Sequence, residues 1–588
     1  MKNELLNGQE LFRLFKSGVE EIERNKDLLN KINVYPVADG DTGSNLLYTL
    51  KSAITFSNSS DSASEILKSI SEQAIIFARG NSGIIFSEFI HGLSFYSVSE
   101  QLTVLEFIEL VNRSSIRLYE VVKNPIEGTI LTVIRKWSAY LKAIKVESFN
   151  DLFELSLPII KKGVDETTKE LKDLQKYKVP DSGAMGFYLF MEGFSKSING
   201  EDKEYYSDWK QFESLEIVED FIDEKYRYCT QFYVKDIRCE LSQLVKELEI
   251  FGDSIAYSGD EKYLNIHLHT DVPWKVSNVF YKYGTIVNSK VDDMSMQNKH
   301  RDKKQRIGIL TDSIADISQD IIDQYDIGML PINLMVNQNV FLDKKTIKIE
   351  EFLNYAQDSI EFPSSSQPND QQIQYELGHY LDYYDQLLII TVSNHLSGTY
   401  LGFERYLDNN PELKKRIVLI DSLLNSGGQG LFVKKVAEIV QNENRLEDVL
   451  DEILSIRSKI KIYVALNNFE NLSKSGRVNK KIATFANKLN MKAILSLDQN
   501  GKGKVFGFSL SRKYTEKRIL EKIKEALSKG IIDEYVLFYT NESEDFTAFK
   551  NKVSLLIKKE PLYCVPISSA TALHVGRDSI AIAYVGEL

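Results

Sequence analysis

Apolar residues Leu11, Leu14, Phe15 and Ile22 recur at helical spacing near the start of the chain, and runs of the same kind follow at Ile84 to Leu93, Ile130 to Leu141 and Phe187 to Phe194. This spacing predicts a first helix closed by Pro36 and a mostly helical region up to about residue 200. Between Tyr226 and Met294 the period shortens: QFYV and YLNIHLHT alternate as strands do, around a helical LSQLVKELEIF, which predicts a small α+β domain. The stretch NKHRDKKQR, residues 298 to 306, is charged and poor in apolar side chains, and fits either a linker or an exposed helix end. Beyond it RIGIL, QLLIITV, RIVLI, KIYVAL and YVLFY predict strands alternating with helices, the pattern of an α/β domain. The expected divisions are 1–200, 201–302 and 303–588. No short-period repeat is present, which excludes a solenoid.

Length agrees with several cores, since 588 residues exceed what one interior supports. Apolar residues at 43% and charged residues at 27% are the proportions of folded soluble protein. A net charge of -12 with no long Lys/Arg block argues against nucleic acid as a partner. Cys229, Cys239 and Cys564 are too scattered for a disulfide framework, and neither a signal core nor a long apolar span is evident. A cytoplasmic protein with at most peripheral membrane contact is expected.

Chemistry enters with Asp39-Gly40-Asp41-Thr42-Gly43-Ser44-Asn45, ahead of a helix expected from about Leu46. Two carboxylates around a flexible glycine suit one hard cation such as Mg²⁺, and helix-start amides suit phosphate, although the same residues also make an ordinary solvated turn. Arg79-Gly80-Asn81-Ser82-Gly83, Glu127-Gly128-Thr129 and Asp181-Ser182-Gly183 precede further helices, so several helix starts can form one phosphate cup. No GxxxxGK[ST] loop occurs, and Gly428-Gln429-Gly430 lacks dinucleotide spacing.

NVYPVADGDTGSN, RGNSG, EGTI and VPDSGAMG, in that order, resemble the nucleotide-binding domain of fatty acid kinases and the ADP-binding subunit of dihydroxyacetone kinases. The resemblance implies an all-α helical barrel with ATP at one end. Asp39 and Asp41 would hold Mg²⁺, and Asn33 stands where dihydroxyacetone kinases carry a further Asp. Thr42, Gly43, Asn45, Ser82, Gly83, Thr129 and Asp181 become the candidate nucleotide contacts. Ala184-Met185 departs from the family, where another glycine is common.

On the predicted strand LNIHLHTD, His267 and His269 point to one face. From spacing alone they fit either an exposed strand face or, with the upstream Cys229, a Zn²⁺ site. YRYCTQF, GDSIAYSGDE and HLHTDVPWKV resemble the middle domain of fatty acid kinases, whose Cys and two His bind a metal. A role apart from the ATP loops is expected, given the distance along the chain.

Small hydroxyl residues mark the expected strand ends of the last domain at Thr311-Asp312-Ser313, Ser397-Gly398-Thr399 and Asp421-Ser422. They suit an anionic head group or plain turn capping. ILTDSIADIS, SSSQPND, HLSGTYLGF, DSLLNSGGQGL, LSKSGRVNK and ALHVGRDSIAIAYVG resemble, in order, the DegV family of fatty-acid-binding α/β proteins. That resemblance implies a fatty acid whose carboxylate is held by Ser365 and Ser397, beside Gly398 and His574, with Arg477 in a flanking loop. Ser365 replaces the usual Thr, and Val575-Gly576-Arg577 replaces Thr-Gly-Pro.

Together the motifs imply a kinase that phosphorylates a fatty acid carboxylate from ATP, with an acyltransferase consuming the acyl phosphate and a homodimer as the expected assembly. A nucleotide-switched lipid carrier and a small hydroxyketone kinase are the alternatives. The latter needs a carbonyl-anchoring His that the helical loops lack.

Overall fold

The computed structural model describes residues 3–35, 40–122, 125–199, 209, 212, 225–300, 305–441, 445–476, 484, 486, 488, 489, 491–530 and 532–586. The chain divides into two units, Met1–Asn298 and Lys299–Leu588. In the first, α1 (Gly8–Arg24), α2 (Lys26–Lys31), α3 (Thr42–Phe56), α4 (Ala63–Phe77), α5 (Gly80–Tyr96), α6 (Val104–Val121), α7 (Ile130–Ala143), α8 (Phe149–Glu170), α9 (Lys172–Tyr177) and α10 (Ser182–Asn199) follow one another. The long helices close a ring: α1 packs on α3, each of α3 to α7 packs on its successor, and α8 meets α10, which returns to α1.

The periodic residues Leu11, Leu14, Phe15 and Ile22 fill the interior of this ring. There Phe86, Phe89, Trp137, Phe187 and Phe190 meet at centroid separations such as 5.1 Å for Phe86–Phe190 and 5.6 Å for Phe89–Phe187. Edge-on pairs of this kind add about 0.5–1.5 kcal/mol each beyond burial. A Cβ on Gly193 would lie 2.4 Å from the Ser17 carbonyl oxygen, so α1 and α10 touch backbone to backbone. The first helix stops earlier than the position of Pro36, which lies outside the described residues. Asn25 ends it, its side-chain amide donating to the Glu21 carbonyl at 2.8 Å, and α2 follows.

Alternating helix direction sorts the helix ends. Gly8 N–H donates to Asp61 O at 2.8 Å, Ala63 N–H to Glu100 O at 2.7 Å and Phe149 N–H to Asn3 O at 2.8 Å, gathering the starts of α1, α4, α6 and α8. The short strands β1 (Leu5–Leu6) and β2 (Leu102–Thr103) pair at that end. Starts of α3, α5, α7 and α10 meet at the opposite end.

The rest of the first unit is β3 (Tyr228–Lys235), α11 (Leu241–Leu248), β4 (Gly252–Gly259), β5 (Tyr263–Thr270), α12 (Pro273–Tyr283), β6 (Thr285–Asp293) and α13 (Met294–His300), an antiparallel sheet of order β4-β5-β3-β6 with helices. Strand alternation gives it an apolar face, where Phe232 meets Phe280 of α12 at 4.9 Å between ring centroids. Its polar face carries Cys229, Gln231, Asn265, His267 and His269. The alternation suggests an exposed face for the two histidines, but the turn between α4 and α5 covers it, leaving His267 2% and His269 8% accessible.

In the second unit the predicted strands all form but separate into two sheets. β7 (Gln305–Asp312), β8 (Ile327–Leu330), β12 (Tyr384–Thr391) and β13 (Ile417–Asp421) make a parallel sheet of order β13-β12-β7-β8. β14 (Ile460–Leu466), β15 (Lys492–Leu497), β16 (Gly503–Ser509), β17 (Ile532–Tyr539), β18 (Cys564–Pro566) and β19 (Ile580–Gly586) make a mixed sheet of order β16-β15-β14-β19-β17-β18. A third sheet joins β9 (Asn333–Val336), β10 (Asn339–Leu342) and β11 (Ser364–Ser366). Buried aspartates tie these parts together. Asp316 accepts from Lys344 at 2.8 Å and from the Ser568 amide at 2.8 Å, while Asp343 accepts from Ser313 at 2.7 Å and from the Ser569 amide at 2.9 Å.

Candidate functional site

The starts of α3, α5, α7 and α10 form a cup. Gly80, at φ 60°, sits so close to Asn45 that a Cβ would come within 2.6 Å of Asn45 Nδ2. A Cβ on Gly183 would lie 3.1 Å from Ser82 Oγ, and Ser182 Oγ donates to Asn33 Oδ1 at 3.4 Å. The Asp181 carboxylate accepts from the amides of Ile130 at 3.1 Å and Ala184 at 2.8 Å, which pins the starts of α7 and α10 together. Burial lifts the pKa of that carboxyl to about 6. Asp181 therefore shapes the cup through the backbone. Gly43 likewise serves packing, since a Cβ there would be 2.2 Å from the Lys26 carbonyl oxygen.

N-cap side chains close some helix starts of the ring and not others, the N-cap Ser62 of α4 making no side-chain cap bond. Asn7, Thr103 and Ser148 cap α1, α6 and α8 with their own side chains. At the cup, Asp41, Arg79 and Thr129 occupy the N-cap positions of α3, α5 and α7 and none makes a side-chain cap bond. Helix-start N–H groups carry partial positive charge, so their convergence favours an anion, most directly at α5, since the Asn30 side chain accepts from the Ser44 amide of α3 at 3.0 Å and Asp181 from amides of α7 and α10. α3 begins at Thr42, earlier than Leu46, because Asp41 takes the N-cap position. Thr42 and Asn45 are buried in its first turn, and Asp39 lies outside the described residues.

On the middle sheet, one ligand atom from each of Cys229, His267 and His269 falls within 4.8 Å of the others. Cys229 Sγ is 3.7 Å from His267 Nδ1, and His267 Nε2 is buried with no hydrogen-bond partner among the described residues. Burial lowers the pKa of both imidazoles, His267 well below its ordinary value, so each is the neutral form that a metal ligand requires. A soft sulfur, two neutral nitrogens and an orphaned buried nitrogen fit Zn²⁺. The cluster is remote from the glycine-rich helix starts in sequence, yet its sheet face packs on the turn leading into α5.

The strand-end hydroxyls of the second unit diverge. Thr311 donates to the Ile390 carbonyl at 2.8 Å, Ser313 is engaged by Asp343, and Ser422 donates to the Leu424 carbonyl at 3.3 Å, so two of the three strand ends serve internal structure. Ser397 remains half-buried, its hydroxyl 2.9 Å from Thr399 Oγ1. The segment after β11 reaches it: a Cβ on Gly398 would overlap Gln367 Oε1 at 1.8 Å. Ser365 is exposed on β11, two residues before Gln367. His574 lies in the helix Ser569–Val575, beside the short helix Glu470–Lys474, whose Asn471 donates to Leu573 O at 3.1 Å. Arg477 lies outside the described residues.

Residues that the motifs did not single out complete these surroundings: Glu88 and Arg117 in the ring, and Gln231 and Asn265 on the sheet. The signal for the last two is positional, because both share the strand face of His267.

Comparison with known proteins finds three family matches along the chain. Residues 36–196 match the DAK2 domain, residues 225–301 the FakA-like middle domain of fatty acid kinases, and residues 306–587 the DegV family. The architecture is fatty acid kinase-like. An uncharacterized protein of Staphylococcus epidermidis is 30% identical over 324 residues, covering 52% of this chain and 58% of its own length. One from Staphylococcus aureus is 31% identical over 320 residues, again 58% of its length. The chain thus spans somewhat over half the length of the curated relatives it matches. Among solved structures, a DegV family protein from Thermus thermophilus, described by its fatty acid binding, is 23% identical with a TM-score of 0.44, covering 48% of this chain and 100% of that one. The fatty acid kinase B3 protein of Streptococcus pneumoniae, loaded with linoleic acid, is 18% identical with a TM-score of 0.42 and the same two coverages. No described helix is long and apolar enough to cross a membrane.

Proposed function

We propose that the chain transfers the γ-phosphate of ATP to the carboxylate of a fatty acid held by its second unit, giving ADP and an acyl phosphate. The observation that carries this reading is the cup itself, four converging helix starts of which three have Asp41, Arg79 and Thr129 as N-cap residues that make no side-chain cap bond of their own. Asp39 and Asp41, with Asn33 beside the start of α10, would hold Mg²⁺, and when bound the ion neutralises charge on the phosphate oxygens. Amides at the starts of α3 and α5 and the hydroxyls of Thr42 and Ser82 bind and orient the anion. A fatty acid carboxylate, with a pKa of about 4 to 5, is ionised near neutrality, so no residue need act as base to create the nucleophile. Ser365, Ser397 and His574 orient that carboxylate by hydrogen bonding. Cys229, His267 and His269 would hold Zn²⁺. An acyl phosphate is an activated acyl donor, so its consumer is an acyltransferase.

The test uses the full chain. Extraction and mass spectrometry should find retained fatty acid, and added Mg·ATP should yield ADP with an acyl group that hydroxylamine traps as the hydroxamate. Hydroxamate absent while ATP still binds would favour the nucleotide-switched carrier, the reading that Asn33 in place of a third carboxylate supports. No retained or added fatty acid bound would remove the lipid reading.

A further inference from the structure

The last carbonyls of a helix have no partner within it and are usually closed by a left-handed glycine or by water. At the end of α4 a different solution appears. Asn265 Nδ2 donates to the Ile75 carbonyl at 2.7 Å, and Gln231 Nε2 donates to the Ala78 carbonyl and, at 2.8 Å, to Asn265 Oδ1. Both amides come from the middle sheet and are buried, 7% accessible for Gln231 and 2% for Asn265. Ala78 is followed at once by Arg79, the N-cap of α5, and by Gly80–Gly83 at the cup.

The sheet grips α5 a second time, farther along. Ser87 Oγ lies 3.1 Å from Ser258 Oγ, the Gly259 amide donates to Glu88 at 2.9 Å, and Arg117, paired with Glu88, donates to the Gly259 carbonyl at 3.0 Å. This second grip fixes the body of α5, whereas the first fixes the turn from which its phosphate-facing end emerges. On the cup side that turn rests on α3, the Arg79 amide donating to Thr49 Oγ1 at 3.0 Å, the Arg79 guanidinium lying over the Tyr48 ring and Gly80 resting on Asn45. We infer that Gln231 and Asn265 are positioning residues for the Arg79–Gly83 loop, setting nucleotide affinity from outside the helical ring. The inference rests on the nucleotide reading of the cup.

Gln231→Glu tests it in the full chain, because the change keeps the shape and replaces the donor facing Ala78 O with an acceptor. Thr230→Val is the control: Thr230 is buried on the opposite face of the same strand and donates to Leu268 O at 3.0 Å, so its loss costs stability without touching the turn. Binding of a fluorescent methylanthraniloyl-ADP with Mg²⁺ should weaken about tenfold in Gln231→Glu and change less than about twofold in Thr230→Val. Both should be measured where tryptophan fluorescence shows the first unit folded. Equal affinity in wild type and Gln231→Glu overturns the inference and leaves the kinase reading standing. Wild type that binds no nucleotide overturns both. Hydrogen exchange on wild type decides the matter even if the variant does not fold: ADP should add protection to residues 79–83 and also to β3 and β5, and protection confined to the helical ring overturns the inference.

Discussion

The two units assemble their candidate sites from different material. In the first unit the cup is made of backbone: four helix starts, held by Asp181 and by glycines that permit close approach. In the second, the candidates are isolated side chains, an exposed Ser365 on a three-residue strand and a half-buried Ser397 already beside Thr399. A backbone site is robust to most single side-chain changes but fails when a charge that would hold its cation is removed. A side-chain site should degrade by steps. The sharpest break of this comparison is therefore Asp41→Asn, which should lower Mg·ATP-dependent hydroxamate formation by about a hundredfold or more while leaving the fold cooperative. Turnover at the wild-type rate would show that the cup does not need the Asp41 carboxylate.

Legibility in the sequence follows the same division. Glycine-rich helix starts carry a local signal, and the helical period placed α1, α5, α7 and α10. The loops' convergence was legible as one option, while Asp181 as a double cap needed the fold, since its amide partner Ile130 lies 51 residues away. Among strands, alternation gave the face of Cys229, His267 and His269 correctly but not its burial, because a polar face is covered only when a partner such as the α4–α5 turn brings carbonyls for Gln231 and Asn265. In the second unit, Thr311, Ser313 and Ser422 had the composition of a binding rim and serve internal bonds instead. The five strand signals did not reveal that β14 and β17 leave the parallel sheet, because period alone does not assign partners.

A second test sharpens the role of the middle sheet. Wild-type protein should contain about one zinc per chain, and the triple variant Cys229→Ala, His267→Ala, His269→Ala none, by elemental analysis. Trp137, Trp209 and Trp274 all lie in the first unit, so tryptophan fluorescence follows that unit selectively. Chelator should lower its thermal midpoint in wild type and leave the variant unchanged. Equal zinc in both proteins would place the metal elsewhere.

For the side-chain site, Ser397→Ala should weaken fatty acid binding by about 1–3 kcal/mol, the cost of removing one hydrogen bond to a charged group. Titration with a fluorescent fatty acid measures it. A loss as complete as that expected for Asp41→Asn would erase the contrast between the two sites, and no loss would remove Ser397 from the site.

The smallest expected effect concerns two buried carboxyls of the first unit. Burial lifts the pKa of Asp181 to about 6 and that of Glu88 to about 7, the latter despite its Arg117 partner. A carboxyl whose pKa rises on folding binds its proton more tightly in the folded state, so its contribution is fully present below the unfolded value, about 4, and is lost as pH rises through the folded value. The tryptophan-monitored midpoint of the first unit should accordingly fall from about pH 4, most steeply up to about pH 6 where both carboxyls contribute, and level off above about pH 7. Glu88→Gln should remove the fall between about pH 6 and about pH 7 and make the fall below it shallower, leaving the part due to Asp181, which is held by the two helix-start amides and lies outside the Glu88–Arg117 pair. A midpoint that instead rises across this range would mean that Arg117 and the amides keep both carboxylates ionised.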